Sequence, residues 1–197
     1  MAKYSYGIQV LVWAILVLGI LGGIYISFLH FRRKARIREN EQAARIAINN
    51  FRDIEQMFKE QDKDGNGIND FWTGDVAGLF RYGLIDRSIA LADVAPLNPL
   101  GPKPVPYCGY YFVALEGDDE FLKGDYSYKT ETGGRYPMGK VHHLTRFGFC
   151  AFPEDPGVTG RRVYIVNQNF TVFFSNDIKP PTSWPDVSTL MTHWSKE

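Results

Sequence analysis

From Ile8 to Leu29 the chain reads IQVLVWAILVLGILGGIYISFL, an apolar run whose only polar interruptions are Gln9 and Ser27. At about 1.5 Å per helical residue it extends roughly 33 Å, enough to cross the hydrocarbon core of a bilayer. Beyond it the pattern changes period. Ala44, Ala47, Ile48, Phe51, Ile54 and Phe58 recur at steps of three and four, while Glu39, Glu41, Arg45, Asn49 and Arg52 fall elsewhere. Neither Pro nor Gly interrupts residues 31–60. The pattern therefore predicts one helix from Ile8 to Glu60, with a membrane segment over 8–30 and an amphipathic stem over 31–60. Phe51 and Ile54 are expected to face a sheet.

The turn-rich DKDGNG, beginning at Asp62, must stop this helix and open a globular domain over 61–197. WTGDVAGLFRYG, residues 72–83, predicts a short helix with Thr73 as N-cap and Gly83 as its stop, and 86–95 a second. Four prolines between Leu97 and Pro106 make a rigid crossing. Strands are expected at 109–115, 146–152, 161–167 and 170–176, the last two forming a hairpin around Asn167-Gln168-Asn169. PDVSTLMTHW, from Pro185, adds a terminal helix. The fold class is α+β: a long N-terminal helix, transmembrane then amphipathic, packed on a small antiparallel β-sheet. Residues 116–145 form a long insertion between the first two strands.

Charge narrows the partners. Lys and Arg total 22 and so do Asp and Glu, giving no net charge and no basic surface for nucleic acid. No nucleophile–base set, phosphate loop or redox motif occurs, so an enzyme is not expected. The apolar run is too long for a signal-peptide core and no A-x-A-type site follows, so it is expected to be retained. Lys3 precedes it, whereas Arg32, Arg33, Lys34, Arg36 and Arg38 follow, a bias that by itself places the domain in the cytoplasm. Two other features favour export.

The first is Asp62-Lys-Asp-Gly-Asn-Gly-Ile-Asn-Asp70. Asp62, Asp64 and Asn66 stand at positions 1, 3 and 5 of an EF-hand-type calcium loop. Gly67 stands at the sharp turn, Ile68 offers its carbonyl from position 7, and Asp70 lies at 9. Position 12 is Thr73 rather than a bidentate carboxylate, so Asp75 is the candidate to close the site, and the affinity expected suits millimolar calcium. The competing reading of the loop is an Asx-rich turn without an ion. The second feature is the pair Cys108 and Cys150, which can bridge in an oxidising compartment or remain buried thiols. Asp118, Asp119, Glu120 and Asp125 in the insertion 116–145 form a weaker metal candidate, against a solvated acidic loop. His142 and His143, adjacent on a strand, point to opposite faces and do not suit one zinc site.

The layout resembles type IV pilins and the pseudopilins of type II secretion. The carriers are the short leader-like MAKYSYG ending in Gly7, the apolar-then-amphipathic helix, and the stem ENEQAARIAINNFRDIEQMFKE feeding a sheet domain. The resemblance implies cleavage after Gly7, or else an uncleaved tail over 1–7. Ile8 and Val12 depart from the family pattern, which has an aromatic first and a Glu fifth after the Gly. YCGYYF, FGFCAF and GVTGRRVYIVNQ also resemble a family of exported bacterial proteins of unknown function. Two functions are implied. One is a structural subunit of a bacterial pilin-like assembly, single-pass in the membrane, forming homo- or hetero-oligomers through its N-terminal helix, with a calcium-stabilised exported domain. The alternative is a monomeric membrane-tethered periplasmic module whose 116–145 loop binds a ligand.

Overall fold

A computed structural model describes residues 2–118, 126–132, 139–176 and 179–197. The predicted helix is there as one element, α1 (Ala2–Glu60). From Leu16 to Leu29 its described side chains are exposed, and the helix is long and apolar enough to cross a membrane. Its second half enters the core. Ala44, Ala47, Ile48, Phe51 and Phe58 are buried and Ile54 is half-buried against the same cluster, as the period requires. Ile37 and Glu55 are buried on this face as well.

The strands and short helices in chain order are β1 (Phe71–Trp72), α2 (Val76–Arg81), α3 (Arg87–Ala90), β2 (Tyr110–Ala114), β3 (Glu131–Thr132), β4 (Lys140–His143), β5 (Gly148–Pro153), β6 (Val163–Asn167), β7 (Val172–Ser175), α4 (Val187–His193) and β8 (Ser195–Lys196). Five make one antiparallel sheet in the order β2-β5-β6-β7-β8, and three make a second, β1-β4-β3. Side chains alternate across the large sheet. Tyr110, Phe112, Phe149, Ala151, Tyr164 and Val166 face the stem, where Phe51 packs its ring 5.4 Å from Phe112 and 5.1 Å from Phe149. Leu115, Cys150, Val163 and Ile165 face the other way, under Tyr128 and Trp184, with Leu190 of α4 against them. Coverage on both faces explains why every residue of β6 is buried.

Three local expectations change. Trp72 belongs to a strand, and α2 starts later, with Asp75 rather than Thr73 as N-cap: the Asp75 carboxylate accepts from the Gly78 amide at 2.7 Å. Thr73 instead donates its hydroxyl to the Tyr128 carbonyl at 2.6 Å. The insertion is not a plain loop, because its end supplies β3 and β4. Asp118 accepts from the Tyr128 hydroxyl and Arg146, whereas Asp119, Glu120 and Asp125 lie outside the described residues.

The cysteine bridge is also corrected: both thiols are free, Cys108 exposed and Cys150 buried. Cys108 and Gly109 occupy a tight turn at φ 47° and 71°, and Tyr107 pairs with Tyr110 across it. The residue opposite Cys150 is Val113. Three strand residues from Tyr110 to Val113 put about 10 Å between the two cysteines, beyond the ~7 Å at which Cα atoms can be bridged. Burial also pushes the Cys150 thiol far above its ordinary pKa, so it is inert. Labelling of unfolded, unreduced protein should modify both cysteines, and protein that takes up no label until it is reduced would restore the bridge.

Candidate metal centre

The loop after α1 is shaped first by how the helix ends. The Lys63 amide donates to the Phe58 carbonyl at 3.2 Å and the Asp62 amide to the Lys59 carbonyl at 3.5 Å, a Schellman ending. Its left-handed position, usually glycine, is Asp62 at φ 45°. That conformation turns the Asp62 carboxylate back over the loop. One of its oxygens accepts from the Asn66 amide and the other from the Gly67 amide, both at 3.0 Å. Asp64 Oδ1 faces the Asn66 amide at 3.4 Å, and Asn66 Oδ1 accepts from the Ile68 amide at 2.6 Å. Gly67, at φ 79°, supplies the turn that a β-carbon would strain. Asn66 Nδ2 reaches Asp70 Oδ2 at 3.4 Å. The fold thus gathers Asp62, Asp64, Asn66 and Asp70. The Ile68 carbonyl accepts from the Asp70 amide at 3.0 Å. Asp75 stands apart: its second oxygen accepts from the Leu97 amide at 2.7 Å, so both are engaged at α2.

Two buried residues join the loop that no calcium motif contains. His142, fully buried on β4 opposite Trp72, lies between two loop carboxylates. Its Nδ1 is 3.1 Å from Asp70 Oδ1 and its Nε2 is 3.5 Å from Asp64 Oδ2. The first is a hydrogen bond. The second is a close contact that is not a hydrogen bond, and it leaves Nε2 and Oδ2 as buried atoms without a hydrogen-bond partner. An imidazole with one N–H can satisfy one flanking carboxylate, and only a doubly protonated ring or a cation satisfies both. Burial raises the Asp64 carboxyl above its usual value, and His142 partly offsets this.

Glu55, on the buried face of α1, accepts from the Trp72 amide at 3.0 Å through Oε2, while Oε1 has no partner. Burial holds this carboxyl well above the ordinary range, with the Asp70 charge adding to it. His143, by contrast, points out of the cluster. Its Nδ1 accepts from the Thr145 and Arg146 amides at 3.0 and 2.9 Å, and burial, followed by the Arg146 charge, lowers its pKa. The two histidines thus serve different structures, as their strand alternation requires. Glu55 did leave a trace in the sequence, as a charge between Phe51 and Phe58 on the apolar stripe. His142 left none, since its partners are more than seventy residues away.

Among the described residues, no three His, Cys, Asp or Glu side chains already converge on a common ion centre. The loop oxygens are held together by amides and by His142, and the Asp64 Oδ2 atom without a donor is the one best placed to accept a hard cation. No family model, curated protein or solved structure matches this chain.

Proposed function

We propose that the chain is a membrane-anchored structural subunit of a pilin-like or pseudopilin-like assembly, with a calcium-stabilised domain on the exported side. The observation that carries this reading is the division of α1. One helix supplies the core of the domain through Phe51 and its neighbours, yet exposes Leu16, Leu18, Ile20, Leu21, Ile24 and Tyr25 to surroundings that the chain itself does not fill. A bilayer covers such a surface, and neighbouring helices can share it. Gly19 and Gly23 lie one helical turn apart, and nothing lies within 4 Å of a β-carbon added at either, so a second helix can approach closely there. Export is supported by the calcium-type loop, whose ligand set without a closing Glu suits millimolar calcium. The free cysteines remove the other argument for export.

The test is oxidative crosslinking in native membranes of a Cys108→Ser, Cys150→Ala background carrying a single cysteine in place of Leu18, Gly22 or Tyr25. Dimers and higher species at one of these positions, abolished by Gly23→Ile, are expected. Monomers at all three would leave a tethered module instead. Intact mass of the same material reports processing, and a chain starting at Ile8 is the outcome that favours the pilin route strongly.

The calcium loop has its own readout. Calcium at a hundredfold excess over its dissociation constant raises stability by about 2.7 kcal/mol. Calcium should raise the melting temperature of the full-length protein, and Asp64→Ala should remove that increment, because ligand charge sets affinity. If calcium and chelator give superimposable melts, the loop is only a turn.

A further inference from the structure

The edge of the domain nearest the apolar half of α1 is tied to that helix by three hydrogen bonds. Arg33 Nη2 donates to the Gly157 carbonyl at 2.9 Å, Asn40 Nδ2 to the Thr159 carbonyl at 2.8 Å, and the Arg161 amide to Glu41 Oε1 at 2.9 Å. The connection between β5 and β6 is therefore fixed alongside residues 33–41, directly after the apolar run. Between helix and connection lies a cleft of about 320 Å³ lined by Lys34, Ile37, Arg38, Glu41, Arg161, Arg162 and Asn176.

Four of those side chains are cationic and one is acidic. The side chains of Lys34, Arg38 and Arg161 form no hydrogen bond or ion pair with another described residue. Arg162 is held in place, with its guanidinium 4.3 Å over the Phe174 ring and its carbonyl accepting from the Tyr110 hydroxyl at 2.9 Å. Lys34 and Arg38 are one turn apart on the same face of α1. At about 1.5 Å per residue they stand roughly 8 and 14 Å beyond Leu29, and the polar headgroup layer is about 5–8 Å deep. Lysine and arginine stems are long enough to bridge the difference.

We propose that this cleft binds the phosphate of an anionic phospholipid headgroup, seating the domain against the membrane that α1 crosses. The inference rests on the membrane-anchored reading above. Guanidinium groups match a phosphate diester with paired N–H donors, and Arg161 and Arg162 approach from the side opposite Lys34 and Arg38. A zwitterionic headgroup brings its own cation into a cleft that already holds four, so phosphatidylcholine is disfavoured.

The experiment uses the full-length protein in mild detergent, with native mass spectrometry during titration with phosphatidylglycerol or phosphatidylcholine. Phosphatidylglycerol should be retained with a preference on the order of tenfold or more, weakening as salt rises. The triple variant Lys34→Gln, Arg38→Gln, Arg161→Gln should lose the preference while keeping the wild-type melting temperature, since all three side chains are exposed. Absence of preference in the wild type, or an undiminished one in the variant, overturns the proposal. Full competition by millimolar orthophosphate would assign the cleft to free phosphate and overturn the lipid assignment. Alkaline carbonate extraction separates the two readings. Protein that stays in the membrane without lipid preference refutes this inference alone, whereas protein that is released refutes the anchoring as well.

Discussion

Phe51→Ala should cost the folded protein about 3–5 kcal/mol, the usual range for emptying a buried aromatic site. Phe51 has no exposure and is the point where the stem meets the sheet, with its ring edge-on to Phe112 and tilted against Phe149. The cavity cannot collapse easily, because α1 is also pinned by Ala47, Ile48 and Phe58, and because β2 and β5 are paired along five residues each. For a domain of this size the loss corresponds to a fall in melting temperature of roughly 10 °C. Arg52→Ala is the control. Arg52 pairs with Asp53 at 2.8 Å on the surface, and such pairs contribute about 0–1 kcal/mol. Thermal melts of both variants decide the matter: similar shifts would mean that residue 51 is not the anchor.

His142→Ala should be comparably severe for a different reason. It leaves Asp64 and Asp70 buried and facing one another without the group that now separates them. Leaving buried polar groups unsatisfied typically costs about 1–3 kcal/mol, and more for charged groups such as these carboxylates, because they have neither water nor a donor. Packing adds to this, since the imidazole touches the rings of Phe58 and Trp72 at centroid distances of 5.9 and 5.3 Å. The proposed calcium loop makes a sharper expectation. A divalent cation can take over the electrostatic role of the imidazole, so calcium should stabilise His142→Ala by more degrees than it stabilises the wild type. Calorimetry with and without calcium measures both increments. Equal increments would uncouple His142 from the loop, and a variant melting like the wild type would show that the imidazole does not hold the carboxylates at all.

How much of this was legible in the chain can be judged residue by residue. The membrane-length run, the stem face through Ala44, Phe51 and Phe58, the end of α1 at the Asp-Gly-rich turn and the Gly83 stop follow from local periodicity and local turn chemistry. Those are properties of neighbours in sequence, and the structure repeats them. The strands 109–115, 146–152, 161–167 and 170–176 were legible for the same reason, through β-rich runs with turn residues between them. The clustering of Asp62, Asp64, Asn66 and Asp70 was legible too, because nine consecutive residues fix their own loop.

The tertiary structure alone decided what those elements meet. Asp75 was near enough in sequence to close the loop, but a helix N-terminus and the Leu97 amide compete for a carboxylate, and at this position they win. Cys108 and Cys150 are both close to strands, but strand register puts Val113 opposite Cys150 and carries Cys108 out into the turn. The placing of His142 between Asp64 and Asp70 required β4 to pair with β1, a contact across some seventy residues for which no local pattern exists. The meeting of Lys34 and Arg38 with Arg161 and Arg162 required the β5–β6 connection to be tied back to α1. Local chemistry fixed the elements of this protein, whereas the partners of its buried and charged side chains were set by long-range strand register and by competition between donors for a few carboxylates.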